Sequence, residues 1–301
     1  MSNSSTKIII GIFGMIFLMF LIAIIGLVFS FKVNKGEIAN LEGKKSSVAV
    51  VEILGPIMKA KKTLELLHSA EKKKNIKAII LRIDSPGGAV GPTQEIFDEV
   101  VRIDKKTPVY ASFGSVAASG GYYIGAAARE IYANRGTITG SIGVIMQFMD
   151  LSELFKLAKV RPEVVKSGEF KDLGNPSRKM RKKERDLLEA SVVNVHEQFR
   201  EDIIARRGKK VKGDLIKLTQ GQIFSGEQAK EFGLIDELGG LYTLSKNIHD
   251  KLKLKGDFRD LTFIKKPKKS KLMNILDQLE EPEAIIKRVL LSLESPSLIL
   301  K

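Results

Sequence analysis

Apolar residues run from Ile8 to Phe31 without a single charge (IIIGIFGMIFLMFLIAIIGLVFSF). At 1.5 Å rise per residue, such a helix is long enough to cross the roughly 30 Å hydrocarbon core of a bilayer. The run has no polar face, unlike a helix packed on a soluble core. Its length and its Ser30-Phe31-Lys32 exit do not suit a cleaved leader. The pattern therefore predicts a short polar segment over 1–7 and one retained transmembrane anchor over 8–31. Lys7 precedes the run, whereas Lys32, Lys35, Lys44 and Lys45 follow it. Counted literally, those charges place the C-terminal part in the cytoplasm, but long domains translocate largely regardless of such counts. The side of the membrane stays open on this evidence.

Residues 32–46 are polar and aperiodic and predict a linker. Beyond them the apolar period switches repeatedly. Val48 to Leu54 reads as a strand, Leu64 to Lys73 as an amphipathic helix, and Ala78 to Ile83 as a short buried strand ending in the turn Asp84-Ser85-Pro86-Gly87-Gly88. A helix is predicted over Thr93 to Ile103 and strands over Val109 to Phe113 and Glu163 to Lys166. A long helix follows from Lys183 to Arg206, with Leu187, Leu188, Val192, Val195, Phe199 and Ile203 on one face. Residues 221–241 (GQIFSGEQAKEFGLIDELGGL) read as strand, turn and helix. Short apolar strands alternating with helices indicate an α/β domain with largely parallel pairing. The catalytic-size domain is expected over 47–260. A Lys-rich tail follows over 261–301, with apolar-periodic stretches at Leu272 to Leu279 and Ile285 to Leu293. No internal repeat is evident.

Hydrophobic residues make up 44% of the 301, enough for a sizeable core. The absence of cysteine removes a disulfide framework, a thiolate metal site and a Cys nucleophile together. A net charge of +15 raises the question of nucleic acid. The cations are mostly lysines on helical stretches and lack the interleaved aromatics that stack bases, so no nucleic-acid partner is expected. Anionic lipid beside the anchor accounts better for the charge.

Three histidines, His68, His196 and His249, each fall in a predicted helix among Lys and Glu, with no second ligand at metal spacing. They read as helix-face residues, and no metal or organic cofactor is expected. The segment 110–123 (YASFGSVAASGGYY) carries more chemistry. A strand ending near Phe113, a bend of small residues and a helix starting at Ser119 expose that hydroxyl beside free N–H groups, as a serine nucleophile requires. Simple helix capping by Ser119 is the competing reading. The paired glycines of the 84–88 turn let backbone N–H groups approach a ligand closely. That turn would then supply half of an oxyanion hole and the Gly120 N–H the other half, a plain tight turn being the alternative. Histidine is not offered as a base. Lysine serves only when neutral, which requires lowering its pKa from about 10.4 by burial. Lys171 is the candidate, although position alone cannot single it out among so many lysines.

Taken in order, Asp84-Ser85-Pro86-Gly87-Gly88, GSVAASGGYYIGAAA, TGSIGVI, KSGEFKD with NPSR, and GQIFSGEQAKEFGLID resemble the short, single-repeat form of bacterial signal peptide peptidase A. The resemblance spans roughly Val48 to Leu244. It implies the Clp protease/crotonase-like fold, here preceded by a single transmembrane helix, and a Ser-Lys dyad. By motif, the dyad falls on Ser119 and Lys171, Ser141 orients the lysine amine, and Gly87 and Gly120 are the oxyanion donors. It further implies cleavage of released signal peptides and homo-oligomeric rings with shared active sites. The catalytic domain is then expected outside the cytoplasm of a single-pass bacterial membrane protein. The peptide is expected to add as a strand along Gly88, Ala89 and Val90, with shallow apolar pockets formed around Val116, Ala117 and Ala118. One departure is clear. The start of the long helix, Arg181-Lys182-Lys183-Glu184, lacks a Ser or Thr cap, for which Asn175 or Ser177 is the substitute. A crotonase-like acyl-CoA enzyme and a catalytically idle membrane scaffold are the alternative functions.

Overall fold

The computed structural model describes residues 47–265. The predicted anchor over 8–31, the linker 32–46 and the tail from 266 onward lie outside the described residues. Within them the chain runs β1 (Val48–Leu54), α1 (Lys61–Glu71), β2 (Ala78–Ser85), α2 (Val90–Asp104), β3 (Val109–Ala118) and α3 (Gly120–Ala126). It continues with β4 (Ile131–Ala133), β5 (Ile138–Gly140), α4 (Ser152–Leu157), α5 (Lys182–Arg207) and α6 (Leu215–Leu218). The last elements are β6 (Ile223–Ser225), α7 (Gly226–Glu231), β7 (Glu237–Leu238), α8 (Leu241–Leu252) and β8 (Thr262–Phe263).

The strands form one sheet in the order β6-β5-β3-β2-β1-β8, with β4 joining β3 to β7. Among the described residues only β5 and β6 pair antiparallel. Parallel strands need both faces covered, which is why β1 to β3 read as near-continuous apolar runs. Ala49, Val51, Ile79 and Leu81 face a core completed by Leu67 of α1 and Ile96 of α2. Alternate residues, among them Val50, Ile80 and Tyr110, face Leu244 and Ile248 of α8. Each fully buried aliphatic side chain contributes about 1.5–3 kcal/mol by leaving water.

The largest difference from the sequence pattern lies in β3, which runs five residues past the expected end at Phe113. Its first half pairs with β4 at Ala111 and Ser112, and its second half pairs with β5 over Val116–Ala118. Between the halves the register against β2 shifts, Ile83 facing Phe113 and Ser85 facing Ala117. The Asp84 carboxylate fills the irregularity by accepting the N–H groups of Ser115 (3.2 Å) and Val116 (3.1 Å). The β3 strand thereby continues straight into Ser119.

Two further expectations are corrected. Residues Glu163 to Lys166 form no strand: among the described residues no partner strand lies alongside, Glu163 to Val165 face solvent, and the Lys166 amine turns to Asp172. Neither Asn175 nor Ser177 caps the long helix, since Asn175 is used by the N–H and hydroxyl of Ser177. The Arg181 N–H is instead met by the Glu184 carboxylate at 2.9 Å, a cap supplied from inside the first turn. The apolar stripe of α5 is buried only near its C-terminal end, at Phe199 and Ile203, while Leu187 and Val193 stay exposed.

That end of α5 is locked by charge. Arg207, fully buried, donates to Asp236 Oδ2 at 2.9 Å and to the Gly233 carbonyl at 3.1 Å. Asp236 also takes Lys210 at 2.7 Å and the Ile131 N–H at 2.8 Å, tying α5 to β4. Burial pushes the Asp236 carboxyl up, but the Arg207 charge and the Lys210 bond outweigh it, leaving the group below its ordinary range. A depressed carboxyl stabilises the fold above its unfolded pKa and loses that contribution as pH falls through the folded one. Asp236→Asn should therefore cost about 3–5 kcal/mol at pH 7, the range for breaking a buried pair from one side. Urea unfolding across pH checks this: the gap to wild type should close as pH falls below the carboxylate range. A gap independent of pH contradicts it.

Candidate active site

Ser119 sits between β3 and α3 with φ 52° and ψ −121°. This is left-handed backbone that side chains rarely adopt, and it costs on the order of 1–3 kcal/mol unless the surroundings enforce it. The enforcement is visible. The Ser119 N–H donates to the Gly140 carbonyl at 2.9 Å, and its own carbonyl accepts the Tyr123 N–H at 2.9 Å. A strand-to-helix turn of this kind pushes the hydroxyl out of the sheet end. Ser119 Oγ caps nothing in α3, which removes the simple capping role.

Ser141 lies alongside. Ala118 pairs with Gly140, so Ser141 follows β5 at the level where Ser119 follows β3, about 4.8 Å away across neighbouring strands. Its backbone is also left-handed (φ 49°), pinned by a 2.6 Å bond from its N–H to the Gln222 carbonyl. Gly87 approaches from the other side with φ +100°. A Cβ there would fall 2.7 Å from the Gly120 nitrogen and 2.9 Å from Ser119 Cβ, so only glycine fits. The Gly87 N–H donates to Ser85 Oγ at 3.1 Å. The Gly120 N–H opens α3, where a helix has no internal acceptor to offer it. Ser119, Ser141, Gly87 and Gly120 are thus brought together.

A cavity of about 120 Å³ opens beside Ser119, lined by Gly88, Thr93, Gly120, Tyr123, Ile145 and Phe199 among others. Tyr123 stacks on Phe97 at 4.6 Å and meets Phe199 edge-on at 4.5 Å. Its hydroxyl bonds the Asp202 carboxylate. Burial first, then Asp202, push the phenol well above its ordinary range, so it stays neutral. The expected strand-addition surface contracts. Gly88 bridges Ile57 in parallel, with Ile57 N–H bonded to the Gly87 carbonyl and Ala89 N–H to the Ile57 carbonyl. Ladder alternation turns the N–H and C=O of Gly88 itself the other way, free for a guest. Ala89 is committed to Ile57 and Thr93, and Val90 already belongs to α2, so it contributes its side chain to the cavity rather than a strand edge. Val116, Ala117 and Ala118 lie in β3, and none of the three lines this cavity.

Lys171 is not in this group. It is exposed, lies outside the cavity lining, and among the described residues its Nζ has no hydrogen bond or ion pair. Its loop is tied to the first turn of α5, because Arg178 bonds both Asp172 (2.9 Å) and Glu184 (2.6 Å). The helix reaches the Ser119 cavity only at Val195 and Phe199, about 16–22 Å further along its axis at 1.5 Å per residue. A broad groove of about 970 Å³ lies between, walled by Met146, Phe148, Met149, Leu188 and Val192. The histidines stay outside the site. His68 pairs with Glu99 on the surface, His249 is buried with Nδ1 against the Ser245 carbonyl, and His196 does not line the cavity. Sequence reasoning gave no site role to Thr93, read as the start of a helix, to Tyr123, read only as part of the 110–123 segment, or to Phe199, read as apolar periodicity, and it took Asp84 as a turn residue alone.

A family model described as Peptidase family S49 matches residues 102–255, and one described as Clp protease matches residues 46–150. A putative protease of Synechocystis is 39% identical over 197 residues, covering 65% of this chain and 70% of that protein. The putative signal peptide peptidase SppA of Enterococcus faecium is 34% identical over 203 residues, covering 67% of this chain and 57% of the relative. A putative protease of Methanocaldococcus jannaschii is 35% identical over 176 residues, covering 58% and 56%. The chain thus spans little more than half the length of the last two. The chain belongs to peptidase family S49.

Proposed function

We propose that the protein is a membrane-anchored serine endopeptidase that cleaves released signal peptides with a Ser-Lys dyad shared between copies of the chain. The observation that carries the reading is Ser119 itself. Its strained turn presents an uncapped hydroxyl to a cavity, with Gly87 and Gly120 packed against its backbone.

In the proposed cycle, neutral Lys171 takes the Ser119 Oγ proton as Oγ bonds the peptide carbonyl carbon. The Gly87 and Gly120 N–H groups hold the resulting oxyanion, Gly87 by turning its donation from Ser85 Oγ. The Lys171 proton passes to the leaving amine as the C–N bond breaks. Water then attacks the acyl-Ser119 ester, again giving its proton to Lys171, and Ser119 is regenerated. Ser141, one strand spacing from Ser119, orients the incoming amine. The free edge of Gly88 pairs with the substrate backbone, and the small cavity takes an aliphatic side chain.

Lys171 comes from a neighbouring copy in this account. Its separation along α5 speaks for that arrangement, as do exposed apolar side chains beside the Ser119 cavity and in the Lys171 segment, where Ile145 and Val165 are 87% and 102% exposed. Docking against another copy would cover those side chains and bury the amine, which lowers a lysine pKa towards working pH. Among the described residues no helix is long and apolar enough to cross a membrane. The anchor is assigned to residues 8–31, with the catalytic domain outside the cytoplasm.

Ser119→Ala should fold and assemble yet lose covalent labelling by fluorophosphonate probes. Labelling that persists, or that maps to Ser115 or Ser141, contradicts the nucleophile assignment. Arginine keeps the charge of lysine but does not deprotonate at accessible pH. Lys171→Arg should therefore be as inactive towards peptides as Lys171→Ala. A substantial residual rate in the arginine variant would rule out Lys171 as base. For the anchor, the full chain should remain in membranes through alkaline carbonate washing while residues 46–301 are soluble. Protease outside intact spheroplasts should digest the catalytic domain, whereas protection would put it in the cytoplasm.

A further inference from the structure

The loop that carries Lys171 is built around carboxylates, yet none of them reaches that lysine. Arg178 grips Glu184 with both guanidinium arms, Nη2 to Oε1 at 2.6 Å and Nη1 to Oε2 at 2.8 Å, while its Nε donates to Asp172 Oδ2 at 3.0 Å. Arg181 adds a 2.6 Å bond to Glu184 and a 2.7 Å bond to the Glu169 carbonyl. Lys166 closes the other side, bonding Asp172 and the Glu169 carbonyl. The Glu169 carboxylate faces Lys183 at 3.7 Å. Glu184 is fully buried although it carries a charge, and Asp172 is 11% exposed.

Surface ion pairs taken singly contribute little, but bidentate geometry on a buried carboxylate, joined into a network, is the arrangement that fixes structure. Arg178 and then Arg181 hold the Glu184 carboxyl far below its ordinary range, and Lys166 followed by Arg178 lowers that of Asp172. Both acids therefore stay ionised and both stay engaged with their cations. The network of this loop and the adjoining turn of α5 joins the cations Lys166, Arg178, Arg181 and Lys183 to the anions Glu169, Asp172 and Glu184. Every one of those anions already has a cation other than Lys171. An unpaired carboxylate beside a lysine amine would favour its protonated form, which is useless to a general base.

We propose that Arg178 is a positioning residue for the peptidase reaction. By bridging Asp172 to Glu184, it fixes the Lys171 loop on the start of α5 and keeps the loop's carboxylates off the Lys171 amine. The inference rests on the reading that Lys171 serves the Ser119 of a neighbouring copy, and it adds what holds that lysine ready. Lysine at 178 would keep the charge without the two-armed geometry, so it should restore the function only in part.

The test uses full-length mixed assemblies in which one chain carries Ser119→Ala and the other Lys171→Ala. Active sites then form only where the Lys171 of the first chain meets the Ser119 of the second. Arg178→Gln is placed in either chain in turn. In the chain that supplies Lys171, it should lower kcat on a peptide substrate about 100-fold with KM little changed, the scale for a misplaced catalytic group. Arg178→Lys in the same chain should recover part of the loss. The same Arg178→Gln in the chain whose Lys171 is already Ala has no base to position, and the mixed assemblies should keep their rate. Equal losses from both placements would reduce Arg178 to a structural residue and overturn the proposal, as would no loss from either. Inactive mixed assemblies alongside active wild type would instead refute the shared site itself, and the proposal with it.

Discussion

The left-handed turn at Ser119 is the constraint on which the rest of the site depends. A non-glycine residue keeps such backbone only when neighbours leave it no alternative. Here β5 holds the Ser119 N–H through Gly140, and Tyr123 holds its carbonyl. Gly87 packs so closely that any side chain there would strike Ser119 and Gly120. Asp84 makes the arrangement possible from below, filling the break in register that lets β3 leave β4 and take up β5. The uncapped Ser119 hydroxyl, the close approach of Gly87 to Gly120, and the placement of Ser141 are consequences of one junction of strands.

Much of this was legible in the sequence. Strand β1 was read with its observed limits, β2 within two residues and α5 within one at each end, because each is a long run of one period. The extension of β3 was not legible. Gly114-Ser115-Val116-Ala117-Ala118 looks like a bend of small residues, and only the side chain of Asp84, distant in sequence, makes it a strand. The cap of α5 was misplaced for a related reason. Rules based on Ser and Thr look before the helix, whereas Glu184 reaches back from within it. Tyr123 and Phe199 looked like ordinary core residues because they are core residues that also wall the cavity.

A second lesson comes from what one chain does not bring together. Ser119, Gly87, Gly120 and the cavity are assembled at one end of the sheet, whose stability comes from apolar strands buried on both faces. The proposed base stands at the far end of α5, in a segment stiffened by ion pairs that also leaves Val165 exposed. Burial is what a lysine base needs, and the isolated chain does not supply it. In the proposed assembly, self-association would supply burial to the amine and to exposed apolar surface together, which would link assembly to catalysis through one physical requirement.

The most direct test of that link is a distance. The chain has no cysteine, so Ser119→Cys and Lys171→Cys introduce the sole thiols. Two differently tagged full-length chains, one carrying each substitution, are assembled together and treated with a short bismaleimide. A doubly substituted single chain, diluted among cysteine-free copies, is treated in parallel. The account predicts a covalent dimer joining the two tags and no bridge within the doubly substituted chain. A bridge formed within one chain, with no cross-linked dimer, would contradict it.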